Sequence, residues 1–323
     1  MPLTAFTNTF AGNPLDRASE RRGDADWLAD RLNDLDSLAI ALWNGAPLVE
    51  PAPKTAENPQ AGTGVRLAYF SAPLARDVAG GGEHLLFLGL WQDVAVFAVD
   101  FDGPSDPSEG PLRGLGRFED LRGLASRLTA PEAAIAATAK GVFEWRRRHR
   151  HCSACGQPSD VVEGGWRRLC PACKTEHFPR TDPVVIMLPV QGERCLLGRQ
   201  AAWPKGMWSA LAGFLEPGES IEEACARELK EEADLNALSV AYHSSQPWPY
   251  PSSLMIGLIA EVAEGDATPD QTELEAVRWF TRTEVAQLLV GGIEGAFAPP
   301  SIAIAHTLIR AWAEGWMGAQ SAS

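Results

Sequence analysis

Two Cys-x-x-Cys pairs, Cys152 with Cys155 and Cys170 with Cys173, stand fourteen residues apart. That spacing lets two tight turns present four thiolates as a tetrahedron around zinc, so the segment is expected to fold as a zinc-bound ribbon. Four sulfurs leave no coordination position for water, and the expected zinc holds the fold without performing chemistry. His149, His151 and His177 flank the pairs and read as surface histidines, because the cysteines already satisfy the metal. Cys195 and Cys225 stand alone. In a reducing compartment this is the pattern of one metal site with two bystander thiols, not of a disulfide framework.

The chain has 323 residues, 45% of them hydrophobic, enough for more than one packed core. A net charge of −14 disfavours global binding to nucleic acid or anionic membranes unless basic residues gather locally. Met1 to Arg22 has no apolar core suited to a secretory signal, and no later stretch is long and uncharged enough to cross a bilayer, so a soluble, cytoplasmic protein is expected. Short apolar runs at Leu38–Trp43, Val65–Phe70, Leu85–Leu90 and Val94–Asp100 predict an N-terminal, strand-rich domain. Residues Ala46 to Thr63 and Asp102 to Gly116, rich in Pro, Gly and acids, predict surface loops. Thr129-Ala-Pro131-Glu132 is a helix start, and a closing helix is expected from Pro300 to about Gly315. The resulting divisions are an N-terminal domain over 1–130, a helical connector over 131–151, the zinc ribbon over 152–180 and a further domain over 181–318.

The most informative stretch runs from Gly213-Phe-Leu-Glu-Pro-Gly-Glu219 through Ser220-Ile-Glu-Glu-Ala-Cys-Ala-Arg-Glu-Leu-Lys-Glu-Glu232. Pro217-Gly218 makes a turn, and Ser220 with Glu223 forms a capping box, so a helix is predicted from Ser220. At about 100° per residue, Ile221, Ala224, Cys225, Leu229 and Leu235 share one apolar stripe. Glu228 and Glu232 fall in the middle of that stripe and Glu231 at its edge, while Glu222, Glu223 and Lys230 face the other way. Carboxylates pressed toward a core need compensating charge, and several within one turn repel each other unless divalent cations sit between them. Magnesium or manganese, which prefer oxygen donors, are the natural guests.

Gly213, five residues, Glu219, seven residues, then Arg227-Glu228-Leu229-x-Glu231-Glu232 resembles the Nudix box at every position but one. The motif ends in Gly and an aliphatic residue where this chain has Asp234-Leu235. A left-handed cap is wanted there, and Asp tolerates it, so a small loss of stability and no loss of metal binding are expected. The resemblance implies an α+β fold: a Nudix α/β/α sandwich with a mixed sheet, preceded by a zinc ribbon and a degenerate, strand-rich Nudix-like domain. It implies hydrolysis of a nucleoside diphosphate linked to another moiety, by water attacking a phosphorus held between cations. By motif position, Glu228 and Glu232 are the implied Mg2+ or Mn2+ ligands, with Glu231 a further ligand or the group that orients the water. The carbonyl of Ala212 is a further implied ligand. Arg227, one turn before Glu231, is placed to pair with it. Glu273, six residues before Trp279-Phe280, matches the family's distant metal-binding acid, with Glu275 as the alternative register.

After the box comes Ser245-Gln246-Pro247-Trp248-Pro249-Tyr250-Pro251-Ser252-Ser253. It resembles the SQPWPFPxS array of NADH diphosphatases within the Nudix family, with Tyr250 in place of Phe. Prolines alternating with aromatics predict a stiff, extended wall for flat rings, with Gln246 and Ser253 supplying polar contacts. The resemblance also covers Phe178 and Phe214, which in the family stack on a base of the substrate, and Ala305 in the closing helix. It implies that NAD(H) and water give nicotinamide mononucleotide and AMP, that relatives work as homodimers, and that some also remove NAD caps from RNA 5′ ends. The cluster Arg146 to His151 could meet RNA phosphates, but a basic helix end answering its own dipole and an acidic neighbour is the preferred reading. The alternatives are a broader hydrolase of ADP-ribose or dinucleoside polyphosphates, and a catalytically silent zinc-ribbon binding protein.

Overall fold

A computed structural model describes residues 7–53 and 64–316 of the chain. Two compact units emerge: one comprises Phe10–Thr181 together with Trp248–Ser252, the other Met1–Thr9, Asp182–Pro247 and Ser253–Ser323. The second part of the 46–63 loop, and residues 317–318, lie outside the described residues.

The first unit carries strands β1 (Leu38–Trp43), β2 (Ala46–Pro51), β3 (Val65–Leu67), β4 (Phe70–Ser71), β5 (Leu85–Trp91), β6 (Val94–Phe101) and β7 (Arg117–Phe118). They form a sheet in the order β3-β2-β1-β6-β5, with β4 on β1 and β7 on β2. Residues 46–51 are thus a strand and not the loop expected. The composition of Ala-Pro-Leu-Val-Glu-Pro misleads because Asn44 and Gly45, both at positive φ, already make the turn that folds β2 back on β1. Helices α1 (Ala25–Asn33), α2 (Ala72–Ala79), α3 (Leu121–Leu124) and α4 (Ala130–Arg148) complete this part. Thr129 caps α4 by accepting from the Glu132 amide at 3.4 Å, and Glu132 in turn accepts from the Leu67 amide of β3 at 3.0 Å.

The basic end of α4 is absorbed by the fold. Arg146 is buried and donates to the carbonyls of Gly165, Glu83 and Leu85. Arg147 pairs with Glu144 at 3.0 Å and Asp100 at 3.3 Å, and Arg150 lies 3.8 Å from Asp102. The acidic-neighbour reading of this cluster therefore fits better than an open phosphate-binding patch. A three-stranded sheet of β8 (Asp160–Val162), β9 (Arg167–Leu169) and β10 (Glu176–His177) follows α4.

The second unit contains β11 (Asp182–Gln191), β12 (Arg194–Arg199), β13 (Leu211–Phe214), β14 (Ala237–Trp248), β15 (Ser253–Val262) and β16 (Ala276–Thr281), with helices α5 (Ile221–Ala233), α6 (Arg282–Leu289) and α7 (Ile304–Ala313). The sheet order is β14-β15-β11-β12-β16, with β13 on β11; β11 pairs parallel with β15 and antiparallel with β12 and β13, a mixed sheet. Successive β11 residues alternate between two cores. Ile186, Leu188 and Val190 pack with Val285, Leu308 and Trp312 of α6 and α7. Val185 and Met187 pack with Ala224, Cys225 and Leu229 of α5. A strand buried on both faces reads as a continuous apolar run, and the result is the α/β/α sandwich. Cys195 and Cys225 sit one in each core, where burial pushes the Cys225 thiol up to about 12 and Cys195 up as well.

The chain order β1-β2, β4, α2, β5-β6 repeats the order β11-β12, β13, α5, β14-β15. In each, the first strand pairs antiparallel with the second and with the strand before the helix, and parallel with the last. Helix α2, however, buries Ala72, Ala75 and Ala79 and carries no glutamate. The first unit is a degenerate copy without the acidic helix.

Zinc knuckles and a candidate metal-dependent active site

The four cysteine sulfurs lie within 4.8 Å of one another, and among the described residues no other His, Cys, Asp or Glu joins their cluster. Cys152 and Cys173 are 3.5 Å apart, as are Cys155 and Cys170. A tetrahedron with Zn–S bonds of about 2.3 Å has S···S edges of roughly 3.8 Å, so the thiolates are already arranged for the metal. Both turns are built alike. Cys152 donates its amide to Gln157 and accepts from Gly156; Cys170 donates to Thr175 and accepts from Lys174. Gly156 and Lys174 occupy the same left-handed position, with φ of 75° and 63°. The Thr175 hydroxyl and amide bring the Cys173 thiol down to about 6, whereas, against the lowering effect of the Gln157 backbone, Cys173 and Cys170 push Cys155 up, so the thiols hold protons in common that zinc binding releases.

Helix α5 starts as its spacing predicts. The Ser220 hydroxyl accepts from the Glu223 amide at 3.2 Å, and the Glu223 carboxylate accepts from the Ser220 amide at 2.7 Å. It ends at Asp234, whose φ of 55° and ψ of 33° form the left-handed cap, with the Leu235 amide reaching back to Leu229. Between these ends Glu228 and Glu232 are 8% and 3% exposed, while Glu231 is open to solvent. Neither oxygen of Glu232 has a hydrogen-bond partner among the described residues. Burial, and then the charges of Glu228, Glu273 and Asp270, push Glu232 up to about 8; the backbone amide of Ala212 eases it only slightly, short of a hydrogen bond. Glu228 is raised too, chiefly by burial. A carboxylate in this condition calls for a cation.

Arg227 is the local counter-charge. Its Nε and Nη2 grip Glu219 at 2.6 and 2.9 Å, and its Nη1 donates to Glu228 at 2.8 Å and to Glu231 at 2.9 Å. Its Nη2 also holds the Phe214 carbonyl at 2.9 Å. Sequence reasoning anticipated the Glu231 pairing and missed Glu219, which Arg227 and the Glu216 amide hold down to about 2. The motif spacing was the available signal for that bidentate clamp.

Gly213 has a steric reason. A Cβ there would lie 1.9 Å from the Glu228 carboxyl carbon, so the glycine makes room for that carboxylate. Strand β13 holds Ala212 opposite Ile186 of β11. The charge of Glu273 contributes to the rise of both Glu228 and Glu232, although among the described residues the three carboxylates are not drawn together into one ligand cluster, whereas Glu275 pairs with Arg199. Asp270, also missed, accepts from the amides of Glu273 at 3.0 Å and Leu274 at 2.9 Å and shapes the loop that presents Glu273. An Asp two residues before Thr272 is the turn signal that could have revealed it.

The remaining residues divide between open and closed positions. Phe178 and Phe214 are each 61% exposed, with ring faces free to stack. Ala305 is 2% exposed and packed in the core of α6 and α7. Gln246 is 1% exposed and fully engaged: its amide nitrogen donates to the carbonyls of Thr9 and Ile302, and its oxygen accepts from the Ile304 amide at 2.8 Å. It clamps the start of α7 instead of presenting polar atoms outward. The Trp248–Ser252 segment is a tight turn and not an extended wall: the Tyr250 amide bonds the Trp248 carbonyl at 2.8 Å, and the Tyr250–Pro251 peptide is cis. Pro247 is exposed, Pro249 buried, and Pro251, Ser252 and Ser253 half-buried.

Three family models match consecutive parts of the chain: an NADH pyrophosphatase-like rudimentary NUDIX domain at residues 36–145, an NADH pyrophosphatase zinc ribbon domain at 147–178, and a NUDIX domain at 179–297. Human "NAD-capped RNA hydrolase NUDT12" is 36% identical over 341 residues, covering 94% of this chain and 73% of that protein. "NAD-capped RNA hydrolase NudC" of Mycobacterium bovis (strain BCG / Pasteur 1173P2) is 35% identical, covering 88% and 91%. Human "NAD(P)H pyrophosphatase NUDT13, mitochondrial" is 41% identical over 211 residues, covering 62% of this chain and 60% of that protein. With the box helix, the zinc knuckles, the degenerate first repeat and these likenesses together, the chain belongs to the Nudix hydrolase family.

Proposed function

We propose that this protein hydrolyses the pyrophosphate of NAD(H), with water, to nicotinamide mononucleotide and AMP, and acts on NAD-capped RNA ends by the same bond cleavage. The observation that carries the reading is Glu232: buried, without a hydrogen-bond partner among the described residues, and raised by burial and by the charges of Glu228 and Glu273. In this proposal Glu228, Glu232, Glu273 and the Ala212 carbonyl hold two or more Mg2+ or Mn2+ ions, and all are hard oxygen donors suited to them. Bound there, the ions neutralise phosphate charge and lower the pKa of the attacking water. Glu231, exposed and tethered through Arg227, orients that water and takes its proton. Arg227 keeps the rotamers of Glu228 and Glu231 in place and is anchored by Glu219. Phe178 and Phe214 offer faces for a base, and the Trp248–Ser253 turn selects the nicotinamide end. The catalytic part spans 181–318, after the N-terminal domain (1–130), connector (131–151) and ribbon (152–180).

No described helix is long and apolar enough to cross a membrane. A cytoplasmic homodimer completes the proposal, checked by fractionation and by light scattering of the purified protein. The decisive experiment incubates the protein with Mg2+ or Mn2+ and, separately, NADH, NAD, ADP-ribose and a short NAD-capped RNA. Release of AMP and reduced nicotinamide mononucleotide, faster than turnover of ADP-ribose, is expected. Absence of turnover in folded, zinc-loaded protein would overturn the reading.

A further inference from the structure

The aromatic turn is held by the degenerate repeat. Trp248 and Tyr250 meet edge to face, with ring centroids 5.2 Å apart at 61°. Phe10, 3% exposed, backs both rings at 6.0 and 6.3 Å. The Arg122 guanidinium lies 5.3 Å from the Trp248 centroid and 4.5 Å from that of Tyr250, and Lys140 of α4 reaches the Tyr250 ring at 5.4 Å. The base of Arg122 is fixed. Its neighbours Leu121 and Leu124 are fully buried, and Asp120 caps the short helix α3 through the Gly123 amide at 3.1 Å.

A planar cation over two ring faces restrains both rings at once, which a single ammonium does less well. Two of its five residues, Pro249 and Pro251, lack an amide donor, and the Tyr250 amide bonds the Trp248 carbonyl within the turn. We propose that Arg122 is a positioning residue: through its cation–π contacts it fixes the Trp248–Tyr250 turn, and with it the selectivity proposed above for that turn. The selectivity part rests on the NAD(H) reading above; the positioning part does not.

The test compares wild type with Arg122→Ala, Arg122→Lys, Trp248→Ala and the Arg122→Ala/Trp248→Ala double variant. Hydrogen exchange at the Tyr250 amide is expected to accelerate about tenfold in Arg122→Ala, the effect of losing two exposed cation–π contacts, with partial recovery in Arg122→Lys. Amides in the middle of α4 should keep their wild-type protection. The ratio of kcat/KM for NADH to that for ADP-ribose should fall by a similar factor, through KM, with a smaller further fall, through Tyr250, when Arg122→Ala is added to Trp248→Ala. Unchanged exchange at Tyr250, uniform acceleration through α4, or an undiminished Arg122 effect in the Trp248→Ala background would each overturn the proposal, the last by making Arg122 a direct substrate contact. A wild type that turns over ADP-ribose and not NADH would instead overturn the NAD(H) reading, and the exchange result would still decide the positioning role.

Discussion

Replacing Gly213 with alanine adds one methyl group and should disable the site while leaving the fold. The new Cβ would lie 1.9 Å from the Glu228 carboxyl carbon and 2.0 and 2.3 Å from its oxygens. To restore ordinary contact the carboxylate must retreat by roughly 1.5 Å. Backbone strain is not involved, because Gly213 lies in extended strand β13. The obstructed atoms are the end of a flexible side chain, so the loss of stability should stay near the lower end of the roughly 1–3 kcal/mol typical of overpacking. The chemical consequence is larger. Misplacing a catalytic group by about 1 Å costs on the order of a hundredfold in rate, or about 2.7 kcal/mol of transition-state stabilisation. The assay is steady-state hydrolysis of NADH at saturating Mn2+, paired with Mn2+ titration and a thermal melt. The expected variant melts within a few degrees of wild type, binds Mn2+ more weakly and loses about two decades of kcat. A variant with kcat within threefold of wild type would refute the assignment of Glu228 to the metal site.

Four further outcomes follow from the same geometry. Glu232→Gln should keep the fold and zinc while lowering turnover by orders of magnitude, as seen by product release. In metal-free protein the same substitution should stabilise at high pH: the folded pKa of Glu232 is raised to about 8, so its contribution is fully present below the unfolded value, near 4.5, and is lost as pH rises through 8. The variant should therefore exceed wild type by a few kcal/mol at pH 9 and match it near pH 4, measured by urea unfolding in chelator. Asp234→Gly should raise stability by about 0.5–1 kcal/mol, because glycine enters the left-handed cap without strain and only an exposed pair with Lys230 is lost. Cys170→Ser, or zinc chelation, should unfold the 152–177 segment, detected as rapid amide exchange at β8 to β10, and slow exchange there would count against a structural metal.

The legible parts of the chain were those where one residue type answers one local demand. The cysteine spacing, the Ser220 and Thr129 caps and the box helix all depend on neighbours within a few positions, and the structure forms them at the expected residues. Strand β2 was hidden by its Ala, Pro and Glu content although the Asn44-Gly45 turn back from β1 was a local signal, and burial against β1, β3 and β7 outweighs that weak strand preference. Gln246 was misread for a related reason. Its polarity suggested a ligand contact, yet its amide nitrogen and its oxygen are engaged by carbonyls and an amide 56 or more residues away. Glu219 and Asp270 were under-read because each acts on another group, Arg227 or the Glu273 loop, and only three-dimensional pairing shows which.

The two repeats show what the acidic helix requires of its fold. At equivalent places in the chain order, α2 buries Ala72, Ala75 and Ala79, and α5 buries Glu228 and Glu232 among alanines and leucines. The first arrangement carries no desolvated charge. The second raises both carboxylates above their ordinary range, and the single guanidinium of Arg227 is already divided among Glu219, Glu228 and Glu231. Glu232 is left outside that network and has no hydrogen-bond partner among the described residues, the nearby Ala212 amide alone easing it. A helix selected for stability alone would resemble α2. In the proposed reading a divalent cation that arrives from solution would relieve Glu232, and the stability gained on metal binding, read as a rise in Tm with Mn2+ that Glu232→Gln abolishes, is the signature that separates a working site from a merely acidic one.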